Sequence, residues 1–149
     1  MNTTALRSFA PAARQWLIKA ITSKARLLGV AKGSTAPIEA EGDFVRINGV
    51  LFPKAKVQLR PLLLAKIKSE GFDAAIEAIA YTWFNRLIAI RFLEVNGYLP
   101  HGFRVLSDSA GGSVPEVLQN AQTLDLPTLD KNEVLKYLTA GNQQEELYQ

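Results

Sequence analysis

The amino-acid sequence predicts a mainly α-helical, bundle-like domain built around one long central helix, at about residues 73–96, with a small β-hairpin at about 44–52. Apolar residues recur at helical spacing along the central segment. The pair Asn48-Gly49 separates two short runs of β-favouring residues, which is typical of a tight hairpin. Of the 149 residues, 48% are hydrophobic and 21% charged, so the chain is long and apolar enough to bury one core.

A first helix is predicted from Thr3 or Thr4, either of which can cap it, to about Leu28. Pro11 lies inside this pattern and favours a helix start or a bend near that position. Residues 1–30 are therefore interpreted as a basic amphipathic helix. Four of its five cations fall in two pairs with seven-residue spacing, which we expect on the side opposite the apolar face: Arg7 with Arg14, and Lys19 with Arg26. Lys24 falls within the apolar face, from which its long side chain would reach solvent. The predicted buried face consists of Leu6, Phe9, Ala13, Trp16, Leu17, Ala20, Leu27 and Leu28.

Residues 31–43 lack periodicity and are rich in small and turn-forming residues, so they are predicted to form an exposed loop. In the hairpin that follows, a two-residue type I′ turn at Asn48-Gly49 would pair Ile47 with Val50 and Val45 with Phe52. These four apolar side chains share one face of the hairpin. We expect that face to pack against the helices, because an isolated hairpin is only marginally stable.

A second helix is predicted from about Pro61, a favoured first-turn residue, to Glu70, with Gly71 as its stop. Its expected buried side consists of Leu63, Leu64 and Ile67.

The central helix is predicted to begin near Phe72 with Asp73 as its N-cap, and to end at Gly97 in a left-handed conformation. Two adjacent apolar rows run along it, so we expect the helix to be buried on most of its circumference. The first row is Ile76, Ala80, Trp83, Leu87 and Ile90, and the second is Phe84, Ile88, Phe92 and Val95.

Beyond the central helix, residues 98–107 are predicted to be irregular, and the stretch from Ser109 to Ser113 to be a flexible loop. Ser113 would cap a short helix with Pro115 in its first turn. A further helix is expected at about 128–139. Asn142 and Glu145 then form a capping-box pattern that ends within a few residues, which indicates a fragment of a longer protein. A single domain, 1–149, would therefore comprise the basic helix, the loop, a hairpin with a helical core at 44–141, and the start of a truncated helix at 142–149.

Composition excludes several classes of site. The chain has no cysteine, which excludes disulfides and thiolate metal sites, and a single histidine, which argues against structural zinc. Apolar runs near the start are interrupted by cations, and Asn85, Arg86 and Arg91 interrupt the central helix well before a membrane-spanning length of about 18 residues. The sequence therefore predicts a cytoplasmic protein without a membrane segment. A transit-peptide-like N-terminus is an alternative, because no acidic residue precedes Glu39.

The net charge of +3 conceals an asymmetry between the halves. Residues 1–68 carry 12 Lys and Arg against 3 acids, whereas residues 69–149 carry 5 against 11. The first half is thus suited to a polyanion partner such as DNA, although a solvated helix face explains the charge equally well. The candidate phosphate contacts are Arg7, Arg14, Lys19, Arg26, Lys54, Lys56, Arg60, Lys66 and Lys68.

Two pairs of residues allow two interpretations each. Trp16 and Trp83 could stack on bases, but their helical apolar spacing favours a place in the core. Arg86 and Arg91 could dock another domain, but we favour a buried structural role in which they pair with acids such as Glu77 or Glu94.

The run AYTWFNRLIAIRFLEVNGYLP, from Ala80 to Pro100, resembles a signature near the N-terminus of the PglX-type adenine-specific DNA methyltransferases of BREX phage-defence systems. The residues Gly102–Ser107, Leu124–Leu126 and Glu145–Tyr148 support the resemblance, which covers about 72–149 well and the first seventy residues in general character. The signature residues are Tyr81, Trp83, Phe84, Asn85, Arg86, Arg91, Phe92, Asn96, Gly97 and Tyr98.

The resemblance implies a parent protein that uses S-adenosylmethionine to methylate adenine at a specific DNA site and acts with other BREX proteins. Such an enzyme would need a glycine-rich cofactor loop and an Asn-Pro-Pro-Tyr-like motif for the flipped base. The chain has neither Gly-x-Gly nor Asn-Pro, so we predict no catalytic, cofactor-binding or metal-binding residue in it. His101, Asp108 and a nearby serine lack a nucleophile elbow, and Gly111-Gly112 lacks the lysine of a phosphate loop.

Two functional hypotheses result. The first is an N-terminal, non-catalytic module of a BREX methyltransferase that positions DNA or docks on the remaining domains of the enzyme. The alternative is a protein–protein interaction module of a defence assembly without DNA contact, in which the acidic second half and the polar ends of the central helix form the interface.

Overall fold

The computed structural model describes residues 3–124 and 132, with side chains from residue 7 onward. Its helices are α1 (Thr3–Leu27), α2 (Arg60–Glu70), α3 (Phe72–Val95) and α4 (Glu116–Gln119), with a short 3-10 helix at Lys54–Val57. Its strands are β1 (Val30–Ala31), β2 (Ser34–Thr35), β3 (Glu39–Glu41), β4 (Phe44–Ile47) and β5 (Val50–Pro53). The predicted mainly α fold with a small antiparallel β region is confirmed. Of the helix predicted at 128–139 only residue 132 is described, and it is helical; the helix predicted at 142–149 lies outside the described residues.

The chain divides within α3 into two compact units, of which the first ends at Arg86 and the second begins at Leu87. In the described part of the chain, no helix is both long and apolar enough to cross a membrane.

The first helix begins at Thr3, as predicted, but differs from its prediction in its buried face. It runs continuously from Thr3 through Pro11, instead of beginning at that proline. Ala25 is fully buried, and Ile18 and Ile21 pack beside it, whereas Trp16 is 65% exposed. The helix is apolar on more than one side, and its buried side is fixed by the partners it meets, which are Ile76 and the apolar residues of α2.

The β region contains more pairing than predicted. Residues 31–43, predicted as a loop, include paired strands: β1 pairs with β2, and β3 adds to the hairpin in the order β3-β4-β5. The hairpin itself is confirmed, with Ile47 opposite Val50 and Val45 opposite Phe52. Asn48 and Gly49 have φ of 50° and 81°, as a type I′ turn requires. Val45 and Ile47 are buried and Phe52 half-buried, but Val50 is exposed, so only three of the four side chains cover the core.

Helix α2 follows its prediction closely. Leu63, Leu64 and Ile67 pack on the core, and Gly71 ends the helix at φ 84° with its N–H donating to the Ile67 carbonyl.

Helix α3 has the predicted length, but its burial is lower than expected. Gly71, and not Asp73, occupies the cap position, because its carbonyl accepts the Ala75 N–H. Ala75, Ile76 and Ala80 are buried. The second apolar row is largely exposed, as is Trp83 in the first; the exposed members are Trp83, Ile88, Phe92 and Val95.

Gly29, just after α1, is predicted to be the least replaceable glycine of the first unit. Its φ is +69°, and an added Cβ would lie 2.6 Å from Ile47 Cγ2 and 2.8 Å from Ala36 Cβ. Gly29→Ala should therefore lower the free energy of unfolding by about 3 kcal/mol, through both left-handed strain and overpacking. Gly33→Ala is the control, since Gly33 has φ +77° with nothing within 4 Å. It should cost only about 1–2 kcal/mol. Equal losses in urea denaturation of the two variants would contradict the packing argument.

Candidate nucleic-acid interface

The candidate phosphate contacts all lie in the first unit, but their environments differ. Arg7, Lys19 and Arg26 are exposed on α1, and Lys68 is exposed on α2. Lys54 and Lys56 are exposed in the 3-10 helix. Within residues 3–124, Arg7, Lys19 and Arg26 make no ion pair, so their charges are available to a partner.

Besides Arg46, which pairs with Glu41 at 2.6 Å, three cations of the first unit are neutralised by nearby acids. Arg14 pairs with Glu77 of α3, and Lys32 pairs with Asp73 at the start of the same helix. Lys66 pairs with Glu70 one turn along α2, at 2.8 Å. All three pairs are at least one-third exposed, and such surface pairs contribute little to stability.

Arg60 is the clearest correction to the predicted phosphate contacts, because its side chain is buried. The residue is only 6% exposed. Its Nε donates to the Leu28 carbonyl at 2.7 Å, and an Nη donates to the Ala36 carbonyl at 2.5 Å. Arg60 therefore joins the end of α1 to the segment after β2, and it cannot lie along a DNA backbone.

The four candidate phosphate contacts of α1 do not form one basic face. At 3.6 residues per turn, Lys19 lies about 140° around the helix from Arg14. Arg14 faces α3, where it meets Glu77, while Lys19 and Arg26 share the outer side with the exposed Trp16. Arg26 also lines a depression of about 330 Å³ that includes Ser34, Thr35 and Asn48 beside apolar residues. The outer side of α1 thus combines an aromatic plane, exposed cations that make no ion pair within the described part of the chain, and neutral hydrogen-bonding groups.

A second, more apolar cavity lies between α1 and α3. It has a volume of about 760 Å³ and is lined mainly by alanines with Pro11, Tyr81 and Phe84. The Arg14–Glu77 pair supplies its charged groups.

The signature residues of the first unit lie on α3. Tyr81 is 68% exposed, Asn85 is exposed and Phe84 is half-buried. The guanidinium of Arg86 lies 5.8 Å from the centre of the Trp83 ring, a cation–π contact, in place of the predicted acid pair. Trp83 is 47% exposed, so the prediction that both tryptophans are core residues is wrong.

In the second unit, Glu94 organises the chain that follows α3. Its side chain is fully buried and accepts the N–H groups of Val105 and Leu106, each at 2.8 Å, and the Ser107 hydroxyl at 3.0 Å. Arg91 pairs with it as predicted, but from an exposed position. Burial raises the pKa of the Glu94 carboxyl, yet the hydrogen bonds from Leu106, Arg91, Ser107 and Val105 outweigh burial and lower the pKa overall. Glu94 thus holds an irregular segment in one conformation.

Glu116 and Asp108 act similarly on the next loop. The Ser109 hydroxyl and the Arg104 and Ser109 N–H groups lower the pKa of Glu116 to about 2. Asp108 accepts the N–H groups of Ala110 and Gly112. Ser113 does not cap α4, whose N-cap is Pro115 without a side-chain bond.

No catalytic or metal arrangement emerges from these groups. His101 Nδ1 accepts the Phe103 N–H and its ring stacks on Phe103, while Asp108 is occupied by loop N–H groups, so the two do not form a triad. Among residues 3–124 and 132, no three acids or histidines are placed to hold a metal ion.

The end of the signature carries exposed aromatic residues. Phe92 and Tyr98 are 57% and 62% exposed and contact each other edge to face at 6.0 Å. Asn96 donates to the Phe92 carbonyl, and Gly97 at φ 68° ends α3 as predicted.

No family model matches the chain. It is 37% identical over 155 residues to the adenine-specific methyltransferase BrxX of Escherichia coli O9:H4 (strain HS), a match covering 99% of the chain and 13% of that protein. It is 39% identical over 137 residues to the adenine-specific methyltransferase PglX of Lacticaseibacillus casei (strain Zhang), covering 81% of the chain and 11% of that protein. The chain thus spans about one eighth of the length of the curated relatives it matches. These similarities confirm the resemblance carried by the α3 signature, and the chain is homologous to the N-terminal region of PglX-type BREX adenine-specific methyltransferases.

Proposed function

We propose that this chain is a non-catalytic part of a BREX adenine-specific DNA methyltransferase and that it helps to position DNA. In this proposal the whole enzyme uses S-adenosylmethionine, acts in the cytoplasm with other BREX proteins, and carries out its chemistry on domains outside these residues. The observation that carries the proposal is the positive charge of Arg7, Lys19 and Arg26, which are exposed and make no ion pair among residues 3–124. Positive side chains that neutralise phosphates give affinity that is independent of sequence and sensitive to salt.

The first unit also offers a matched control for this proposal. Arg14, Lys32 and Lys66 are already neutralised by Glu77, Asp73 and Glu70. Replacing each of them by Gln removes three positive charges, the same number that is removed by replacing Arg7, Lys19 and Arg26. The two triple variants therefore differ in which charges are lost and not in how many.

We expect the chain to bind duplex DNA about 100-fold more weakly at about 200 mM than at about 50 mM salt, if about four phosphates are contacted. In Arg7→Gln/Lys19→Gln/Arg26→Gln, the slope of log affinity against log salt should fall by about 0.9 for each contact removed. The triple variant of the ion-paired cations should retain a slope close to that of the original chain. Fluorescence anisotropy with a labelled duplex measures the binding of the original chain and of the two triple variants.

A second candidate function, docking on protein, is favoured by the exposed aromatic residues at the end of the signature. Phe92 and Tyr98 present apolar surface in a unit whose described residues offer few cations. Such residues are typical anchors of protein interfaces. The same titration distinguishes the two functions: equal behaviour of both triple variants, or no DNA binding at about 50 mM salt, would reject DNA positioning and favour docking on the other domains or on a BREX protein.

A further inference from the structure

The outer side of α1 exposes two large aromatic residues that its sequence pattern assigns to the core. Phe9 is 53% exposed and Trp16 is 65% exposed. They are seven residues apart, so they lie within about 20° of each other around the helix. The opposite side of α1 already supplies the core through Ile18, Ile21 and Ala25. The outer aromatic residues therefore take no part in the packing of the first unit's core.

Three exposed cations flank Trp16: Lys19 and Arg26 lie about 60° and 80° around the helix on one side, and Lys24 lies about 80° around on the other. Lys19 is one turn along, a rise of about 4.5 Å, and Arg26 is about 10.5 Å further in the same direction. Arg26 lines the depression that contains Ser34, Thr35 and Asn48, whose side chains can hydrogen-bond to phosphate oxygens. No acidic residue precedes Glu39 in the chain, so no carboxylate of α1 opposes a negatively charged partner.

We propose that this outer side of α1 binds unpaired nucleotides of DNA, with Trp16 stacking on a base and with Lys19 and Arg26 contacting the phosphates beside it. This inference rests on the proposed DNA-positioning function and specifies the form of DNA that is recognised. In a duplex the faces of the bases are already stacked, and only their edges are exposed in the grooves. An exposed indole plane gains stacking energy only from a base that has left the helix or has never been paired.

The geometry fits a short stretch of single strand. Trp16 and Arg26 are about 15 Å apart along the helix axis. Single-strand sites combine a basic track with aromatic side chains on which bases stack, over about 4 to 16 nucleotides. A methyltransferase that acts on a base must take that base out of the stack, so unpaired nucleotides would arise where the proposed parent enzyme works.

The test uses the 149-residue chain with Trp83→Phe, so that Trp16 is the only tryptophan and reports its own surroundings. This variant is titrated with an oligothymidylate of about 12 nucleotides and with a duplex of the same length, at about 50 mM salt. We expect the oligothymidylate to quench Trp16 fluorescence. Trp16→Ala, followed by anisotropy, should weaken oligothymidylate binding at least about 5-fold and leave duplex binding within about 2-fold. Lys19→Gln/Arg26→Gln should weaken both.

Trp83→Ala is the matched control, because it removes the other exposed tryptophan, which is 47% exposed, and should bind oligothymidylate like the original chain. Circular dichroism confirms that each variant is folded. The inference would be overturned if Trp16→Ala bound oligothymidylate as tightly as the original chain, or if oligothymidylate did not quench Trp16 fluorescence. Salt-sensitive binding of the duplex would still support the proposed function in that case. If the original chain bound neither the oligothymidylate nor the duplex, both the inference and the proposed function would be overturned. A change in Trp16 fluorescence with anionic vesicles but not with oligothymidylate would overturn the inference. It would indicate that this side of α1 binds a membrane surface.

Discussion

Arg60→Met is expected to lower the free energy of unfolding by about 3 kcal/mol, because it removes two hydrogen bonds from a charged donor. The Arg60 guanidinium holds the Leu28 and Ala36 carbonyls at 2.7 and 2.5 Å. The Leu28 carbonyl stands just after the last turn of α1, where carbonyls lack partners within the helix and the helix dipole favours a cation. Methionine matches the length of the arginine stem and preserves its packing, so the loss reports the guanidinium itself.

Lys68→Met is the control for this prediction, because it makes a similar replacement at an exposed position of the same helix, α2. It should change stability by no more than about 0.5 kcal/mol. Chemical denaturation followed by circular dichroism measures both variants. Buried charged side chains can sometimes be replaced by apolar residues of similar volume without a loss of stability. An Arg60→Met variant as stable as Lys68→Met would place Arg60 in that class and remove its role as the link between α1 and the strand region.

Local signals account for the parts of the fold that sequence alone could predict. Asn48-Gly49 fixes a two-residue turn, and that turn sets the register of β4 and β5 without help from the rest of the chain. Gly71 and Gly97 take positive φ at the ends of α2 and α3, and only local backbone geometry is needed to place them. The strands β1 and β2 have two residues each, so no periodic signal could identify them.

The wrong predictions of which side chains are buried share a physical cause. Periodicity identifies which residues share a side of a helix, but it cannot identify the buried side when two sides are apolar. The apolar pattern predicts Trp16, and not Ile18, as a core residue of α1, and the position of Ile76 in the fold decides the opposite. Similarly, Arg60 looks like any surface cation, because the carbonyls that it binds are 24 and 32 residues away in the chain.

The candidate site was predictable in part. The seven-residue spacing of Lys19 and Arg26 placed them together, and the charge imbalance pointed to the first half. The neutralisation of Arg14 by Glu77 could not be foreseen, since it depends on how α1 and α3 pack within the first unit. A signal for Glu94 was present: a carboxylate continues the apolar row one turn after Ile90, directly before an irregular segment.

Glu94→Gln is expected to release the segment after α3. The carboxylate receives two backbone N–H groups, a hydroxyl and the Arg91 guanidinium, and glutamine can replace only some of these acceptor contacts. At neutral pH the amide hydrogens of Val105 and Leu106 should exchange about 100-fold faster than in the original chain, which corresponds to about 3 kcal/mol of lost local stability. Glu39→Gln, which changes an exposed acid of β3, should leave their exchange unchanged.

The pH dependence of the same exchange tests the charge directly. Because the pKa of Glu94 is lowered in the folded chain, its contribution is complete above the ordinary glutamate pKa of about 4.3 and is lost as the pH falls through the lower folded value. After correction for intrinsic exchange, protection of Val105 and Leu106 should therefore fall below about pH 4 in the original chain and stay low and flat in Glu94→Gln. Equal protection in both proteins at neutral pH would mean that the fixed position of this segment comes from its apolar contacts. A parallel fall in both at low pH would transfer the pH dependence to Glu116, whose carboxylate holds the Arg104 and Ser109 N–H groups next to the same segment.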